Sequence, residues 1–497
     1  MRHPAAAFLA LALLLRASPC LALEILVVDR FDDVISADGC DISTENDCSL
    51  RGAIRKANQS ADSSTVVLPD GLYPLTLEGA SEDAAASGDL DFTPGGGDLT
   101  VQAEPGAHPI VQQLTADRIL DVRFGAGDIL LQGPLTLLGG SADNGATDDR
   151  GGSLRFFHGA SLTMESIHFI GGTAAASSGC LEWTAPSSPG TLSLTNVSFA
   201  DCNSGGNGGA FFIQSSDSTV AFDGVLARGN VAASNGGGGL FFGGSTPISI
   251  ERSSFENNTA GAASTTISQG GGLFLGSGSF FILDSTIASN VAGRLAGTSS
   301  SGGGIFIQNS QLLVRNTTLS ANQSLAPLGG GTDLAAQNSN LGISFSTIKA
   351  HGSGMPASLD LATGSTLTLF SSIIEGECMG GGITSIGFNV EHPMGGAPST
   401  FCSLDHVSDV TTTKPLLRPL AGYGGPTPTH ALLPSADGTT LLVASTSCPP
   451  TDQRGAQRLG LFCHSGAYEA NSHPPGPEIF SDGFESGDAA AWSASFP

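Results

Sequence analysis

The chain has 497 residues, of which 69 are Gly and only 13% are charged, and it carries a formal net charge of −26. Gly clusters are followed by apolar doublets rather than recurring at every third position, which excludes collagen, and the apolar content is too high for a disordered chain. Nineteen Lys plus Arg against 45 Asp plus Glu leave no basic surface for nucleic acid or an anionic membrane. A turn-rich, strand-rich solenoid accounts best for this composition, with the acidic surface serving solubility.

Residues 1–22 read as a secretory signal peptide: Arg2 and His3, an apolar run from Ala5 to Leu15, then small residues before Leu23. Cys20 follows Pro19, a poor context for lipidation, and is expected to leave with the signal. Eight cysteines then remain: Cys40, Cys48, Cys180, Cys202, Cys378, Cys402, Cys448 and Cys463. An exported chain with an even count is expected to form disulfides. Eight cysteines admit 105 pairings that sequence cannot choose among; pairing of chain-order neighbours is the expectation. No pair has the spacing of a zinc knuckle.

Residues 23–65 form an N-terminal cap region. Within it Leu50, Ala53, Ile54 and Ala57 share one helical face behind Ser49, a candidate N-cap, so a short helix is expected to plug the start of the solenoid. Arg51 is expected to make a structural salt bridge. Asp32-Asp33 and Asp148-Asp149 fall in polar, looped stretches with no evident partner.

Residues 66–375 are expected to form the solenoid itself. Gly208-Gly209-Ala210-Phe211-Phe212, Gly238-Gly239-Leu240-Phe241-Phe242, Gly271-Gly272-Leu273-Phe274-Leu275 and Gly303-Gly304-Ile305-Phe306-Ile307 each open a unit of about thirty residues, the size of one β-helix coil. Runs such as Pro247-Ile248-Ser249-Ile250 and Gln311-Leu312-Leu313-Val314 alternate with period two and predict strands. Asn258, Asn290 and Asn322 recur 32 residues apart, after Phe255, Ile287 and Leu319. Stacked coils would set these asparagines in a turn ladder, where Asn tolerates left-handed backbone, with the double Gly supplying the tight corner. The same register stacks Arg252, Asp284 and Asn316 as a small polar ladder on the outside.

These features predict an all-β, right-handed, single-stranded parallel β-helix with an N-terminal helical cap and a C-terminal cap region over residues 376–470. Residues 471–497 follow as a linker, His473-Pro474-Pro475-Gly476-Pro477, and a short acidic tail from Ile479 to Ser493. The tail resembles a sorting element found on many exported proteobacterial proteins.

The segment from Cys48 to Asn58 resembles the Cys-Ser-Leu-Arg-Glu-Ala (CSLREA) motif of exported bacterial β-helix proteins, with Gly52 in place of Glu. The resemblance continues through Thr65–Tyr73 and Gly88-Asp89-Leu90-Asp91-Phe92. Gly424–Pro434, Cys448–Gly455 and Gly466–Glu469 are similar to the region called choice-of-anchor Q. Ser435-Ala436-Asp437-Gly438 and His464-Ser465 depart from its pattern, which puts any binding role of that loop in question. The Gly-Gly-apolar and Phe-x-x-Asn repeats are similar to those of chlamydial polymorphic outer-membrane proteins, which are adhesins. The resemblance implies a secreted or outer-surface protein, with extracellular glycans or surface proteins as partners and adhesion as the analogy.

The functional reading is a non-enzymatic β-helix presenting a lateral face for adhesion or for glycan or matrix binding. The alternative is a β-helix polysaccharide lyase or glycoside hydrolase. Cleavage would need two carboxylates from adjacent coils converging in an open groove, or a base beside cations. His158, His168 and His430 are single histidines without a recurring acid, and neither the Asp-Asp with Gly-His-Gly set of polygalacturonases nor an Arg-rich lyase motif occurs. No catalytic residue, metal ligand or cofactor site is assigned. Calcium stabilisation is a third hypothesis and predicts melting that shifts with chelator. No apolar stretch after residue 22 reaches the length of about 20 that spans a bilayer as a helix, and the oligomeric state is left open.

Overall fold

The computed structural model describes residues 23–472 except 80–81, 94, 143–148, 158–160, 186–189, 216, 263–266, 294–298, 326–329, 353–356, 394–401, 403, 413–415, 434–441, 445–447, 459–461 and 471. The signal segment, the linker from His473 to Pro477, the whole acidic tail, His158, Asp148 and the stretch from Ser435 to Gly438 therefore lie outside the described residues.

Strands stack in parallel, coil upon coil. Three sheets run along the solenoid. One has eleven strands from Leu90–Phe92 to Cys378–Gly380, a short-stranded one has seven from Ser141–Ala142 to Gln323–Ser324, and a broad one has 24. In a typical coil, Leu273–Gly276 belongs to the first, Ser279–Leu283 and Thr286–Ala288 to the broad sheet, and Val291–Ala292 to the short one. The junctions carry residues with positive φ: Ser277 (52°), Asp284 (51°), Ser289 (57°) and then Gly293 (84°) and Gly302 (64°). A left-handed residue turns the chain sharply while leaving the next strand in register with the coil below, and Gly, Asn and Asp accept it at least cost.

Alternation inside each strand fills the core. Phe280, Ile282, Leu312, Val314, Leu341 and Ile343 point inward and are buried, whereas their neighbours face out. Phe169 and Phe199 stack at 4.9 Å, and Phe211 contacts Phe199, Phe222 and Phe241 within 5.6 Å, so one aromatic column follows the axis.

The asparagine ladder is present, but its geometry differs from the expected turn. Left-handed backbone falls on the preceding residues Asn257, Ser289 and Ala321, while Asn258, Asn290 and Asn322 are fully buried. The ladder also includes Asn230. Each Nδ2 donates to the Oδ1 of the next Asn at 2.9–3.0 Å, and the next Asn's Oδ1 also accepts the backbone N–H of the one before. The glycine doublets are likewise demanded by close approach more than by φ. A Cβ on Gly272 would stand 2.7 Å from the Gly304 carbonyl and 3.0 Å from Asn290 Nδ2, so glycine makes room for the ladder.

Helix α1 (Leu50–Gln59) plugs the first coils, with the Ser49 hydroxyl accepting from the Gly52 N–H at 3.0 Å. Asp32 and Asp33 have partners after all. Asp32 pairs with Arg30, and Asp33 is buried against Arg51 at 2.6 Å. Parallel pairing begins with Glu24–Val27 on Ser64–Leu68 and continues to Val390–His392 on Val410–Thr411, beyond both limits of the expected 66–375. Cys40–Cys48, Cys180–Cys202, Cys378–Cys402 and Cys448–Cys463 are disulfide-bonded, the chain-order pairing.

The described residues between Leu416 and Glu469 lie along the flank of the solenoid. Gln453 reaches across to Thr286 and Thr318, the His430 ring hydrogen-bonds Ser320, and Arg458 donates to Asn316. Asn316 and its neighbours were expected to form an exposed ladder. Asn316 does donate to Asp284 at 3.1 Å, but it is 3% exposed because the C-terminal segment covers it. Arg252 instead ion-pairs with Asp223.

Candidate functional site

Two places on the solenoid bring polar chemistry together. The first is an open groove of about 490 Å³ on the broad sheet. Strands Ser279–Leu283, Gln311–Arg315, Asn340–Ser344 and Thr366–Phe370 pair so that Phe281, Leu313, Gly342 and Thr368 form one outward column. Ser279, Gln311, Asn340 and Thr366 form the column beside it. Leu313 is 37% exposed, and Gly342 leaves a dip next to its methyl groups. The Thr366 hydroxyl donates to Asn340 Oδ1 at 2.9 Å, fixing that amide at the rim. None of the lining residues is titratable. Such a surface can stack on an apolar face and exchange hydrogen bonds, but it cannot move a proton.

The second is a charged ladder on the eleven-strand sheet. Parallel register aligns Asp91, Asp121, Arg155 and Glu182 on four successive coils, each between two inward apolar residues. All four point away from the core, yet all are buried. Asp89 lies beside them, and ligand oxygens of Asp89, Asp91 and Asp121 lie within 4.8 Å of one another. Arg155 grips both oxygens of Asp121, Arg123 bridges Asp121 and the more exposed Asp83, and Arg118 stands 4.0 Å from Asp89.

The electrostatics divide this group. Burial pushes Asp91 up to about 7 against the opposing Ala85 N–H, and burial together with Asp91 and Asp117 pushes Asp89 well above the carboxylate range. Burial also acts on Asp121, but the hydrogen bonds and charge of Arg155 outweigh it and leave that carboxyl below its ordinary value. Glu182 is raised to about 7 by burial, opposed by the Ser177 hydroxyl at 3.0 Å. Carboxylates from adjacent coils thus converge, as a glycosidase or lyase requires, but Asp89, Asp91 and Asp121 are at most 3% exposed. A polysaccharide has no access to them.

The single histidines are accounted for locally. His168 hydrogen-bonds Ser198 at 2.8 Å, and His430 is held between Ser320 and the Arg418 carbonyl, its pKa lowered to about 4 by burial. Sequence reading assigned no role to Asp91, Asp121, Arg155 or Glu182. The available signal was an apolar–charged–apolar triplet repeated once per coil: Leu90-Asp91-Phe92, Leu120-Asp121-Val122, Leu154-Arg155-Phe156 and Leu181-Glu182-Trp183.

Residues 182–383 match the family described as right handed beta helix region. No curated protein matches the chain. Among solved structures, the crystal structure of pectate lyase Pel9A is similar over 90% of this chain and 96% of that chain, with 10% sequence identity and a TM-score of 0.42. No helix among the described residues is long and apolar enough to cross a membrane. The family match and the coil-on-coil parallel pairing together make this fold a right-handed parallel β-helix.

Proposed function

We propose that this chain is an extracellular or cell-surface β-helix that holds an uncharged glycan in its lateral groove without cleaving it. The observation that carries this reading is the groove at Phe281 and Leu313, with its apolar floor, its amide and hydroxyl rim and no titratable lining residue. A sugar ring offers the matching surface, an apolar C–H face edged by hydroxyls, and aromatic anchors contribute more than their area alone. A net charge of −26 disfavours polyuronates. The four disulfides suit an oxidising compartment. On the same reading, Cys48–Asn58 makes the chain similar to exported CSLREA proteins, Gly424–Pro434, Cys448–Gly455 and Gly466–Glu469 to choice-of-anchor proteins, and the repeats to surface adhesins.

The test is retention of the purified mature protein in gels containing neutral glucomannan, xylan or dextran, or polygalacturonate, with the release of reducing and unsaturated ends measured in parallel. Retention by a neutral polysaccharide, weakened about ten-fold by Phe281→Ala through the loss of stacking and burial, is expected. Release of new ends, retention by polygalacturonate alone, or retention indifferent to Phe281→Ala would each overturn the proposal.

A further inference from the structure

We propose that Asp89, Asp91 and Asp121 form a binding site for a hard divalent cation of the calcium class, set between the first two rungs of the eleven-strand sheet. One oxygen from each carboxylate lies within 4.8 Å of the others, the span of two metal–oxygen bonds of about 2.4 Å on either side of one ion. The acidic cluster is joined by a second observation. Asp91 has no exposed surface; its Oδ2 accepts the Ala85 N–H at 2.8 Å, while its Oδ1 is buried with no hydrogen-bond partner among the described residues. A buried carboxylate oxygen left bare costs free energy that a proton or a cation must offset.

The charges nearby do not supply that cation. Asp89, Asp91, Asp117 and Asp121 gather in this region against Arg118, Arg123 and Arg155. Arg155 is committed to Asp121, Arg123 is divided between Asp121 and Asp83, and Arg118 approaches Asp89 no closer than 4.0 Å. Asp91 is paired with none of them.

The three ligands are also held in place from outside the cluster. Arg51 donates to the Gly88 and Asp89 carbonyls at 2.8 and 3.0 Å, the Ala85 N–H fixes Asp91, and the Arg155 fork orients Asp121. Pre-orientation of this kind is what a metal site asks of its surroundings. An all-carboxylate set without His or Cys selects a hard ion over zinc or copper. Its burial favours calcium over magnesium, which is reluctant to shed its water.

The experiment uses the full mature chain, stripped with chelator and titrated calorimetrically with calcium chloride, with magnesium chloride in a parallel arm. Saturable binding of one calcium per chain is expected, weaker by at least ten-fold with magnesium. Asp91→Asn and, separately, Asp89→Asn are expected to lose calcium affinity by at least ten-fold, whereas Glu45→Gln at an exposed acid leaves it unchanged. Melting provides a second readout that a purely structural role would not produce. In chelator, Asp91→Asn melts at or above the wild-type temperature, because an unpaired buried charge has been removed. In calcium a hundred-fold above Kd, the order reverses and the wild type gains about 3 °C. Absence of calcium binding by the wild type, equal binding by Asp91→Asn, or a variant more stable than wild type in both calcium and chelator would overturn the proposal; the last result would mean that Asp91 carries a proton instead.

Discussion

Replacing Asp333 by Asn interrogates the end of the asparagine ladder. Hydrogen bonds run from the Cys202 N–H through Asn230, Asn258, Asn290 and Asn322, and Asn322 Nδ2 finally donates to Asp333 Oδ1 at 2.9 Å. Asp333 is fully buried, and among the described residues neither its Oδ2 nor the hydroxyl of nearby Ser358 has a hydrogen-bond partner. Burial raises this carboxyl from 3.8 to about 7, with the Asn322 hydrogen bond opposing the shift. Below pH 4 the folded and unfolded chains both hold the proton and no penalty exists. As pH rises from 4 to 7 the unfolded chain releases it while the folded chain retains it, so stability falls, and above 7 the loss is complete. At about 1.36 kcal/mol per pH unit, the whole window is worth roughly 4 kcal/mol as an upper bound. Asn cannot ionise, keeps the acceptor for Asn322 and offers an amide towards Ser358. Asp333→Asn is therefore expected to match wild type near pH 4 and to exceed it by a few kcal/mol at pH 8, measured by urea denaturation across that range. Other buried carboxyls titrate in both proteins and cancel in the difference. A stability difference that does not change with pH, or that is largest in acid, would refute the reasoning.

Asn290→Ala removes donors to Asn322 Oδ1 and the Phe255 carbonyl and an acceptor for the Asn258 side chain and N–H. With these groups stranded in the core, a loss of about 3 kcal/mol or more is expected in the same denaturation assay. Gln453→Ala removes four hydrogen bonds, two that tie the C-terminal segment to the flank at Thr318 and Thr286 and two within the segment, to Thr427 and Pro428. Tryptic cleavage at Arg454 and Arg458 is expected to accelerate at least ten-fold while the solenoid keeps its resistance, as followed by mass spectrometry of timed digests.

The coils were legible in the sequence because stacking imposes the same demand at the same position in every turn. Asn258, Asn290 and Asn322 recur since each satisfies the next, and Gly272 and Gly304 recur since the backbone of one coil passes too close to the coil above for a Cβ. The charged ladder satisfies a different condition. Asp91 and Asp121 match, but Arg155 reverses the sign and Glu182 differs in length, so no residue type holds through all four coils, and an outward charge on a strand ordinarily meets water. Their burial is a tertiary fact. The lateral position of the C-terminal segment left no pattern either. It rests on single contacts such as Gln453 to Thr286 and His430 to Ser320, between residues more than 100 positions apart.

The N-terminal helix does more than close the solenoid. Arg51 leaves α1 with its charge balanced by Asp33, and spends its remaining donors on the carbonyls of Ala85, Gly88 and Asp89. Asp33 in turn accepts the N–H groups of Thr76 and Leu77, so one buried ion pair fastens the helix to two further segments of chain. Gly52 belongs to the same arrangement. A Cβ there would stand 1.8 Å from the Ala37 carbonyl oxygen, which accepts the Ser49 N–H, so the chain before the helix can fold over it only where a side chain is missing. The stretches Cys48–Asn58 and Gly88–Phe92, separate in sequence, are thus one structural unit. The helix that shields the open end of the core also fixes the backbone from which Asp89 and Asp91 extend, and the ladder of buried charge begins where the plug ends.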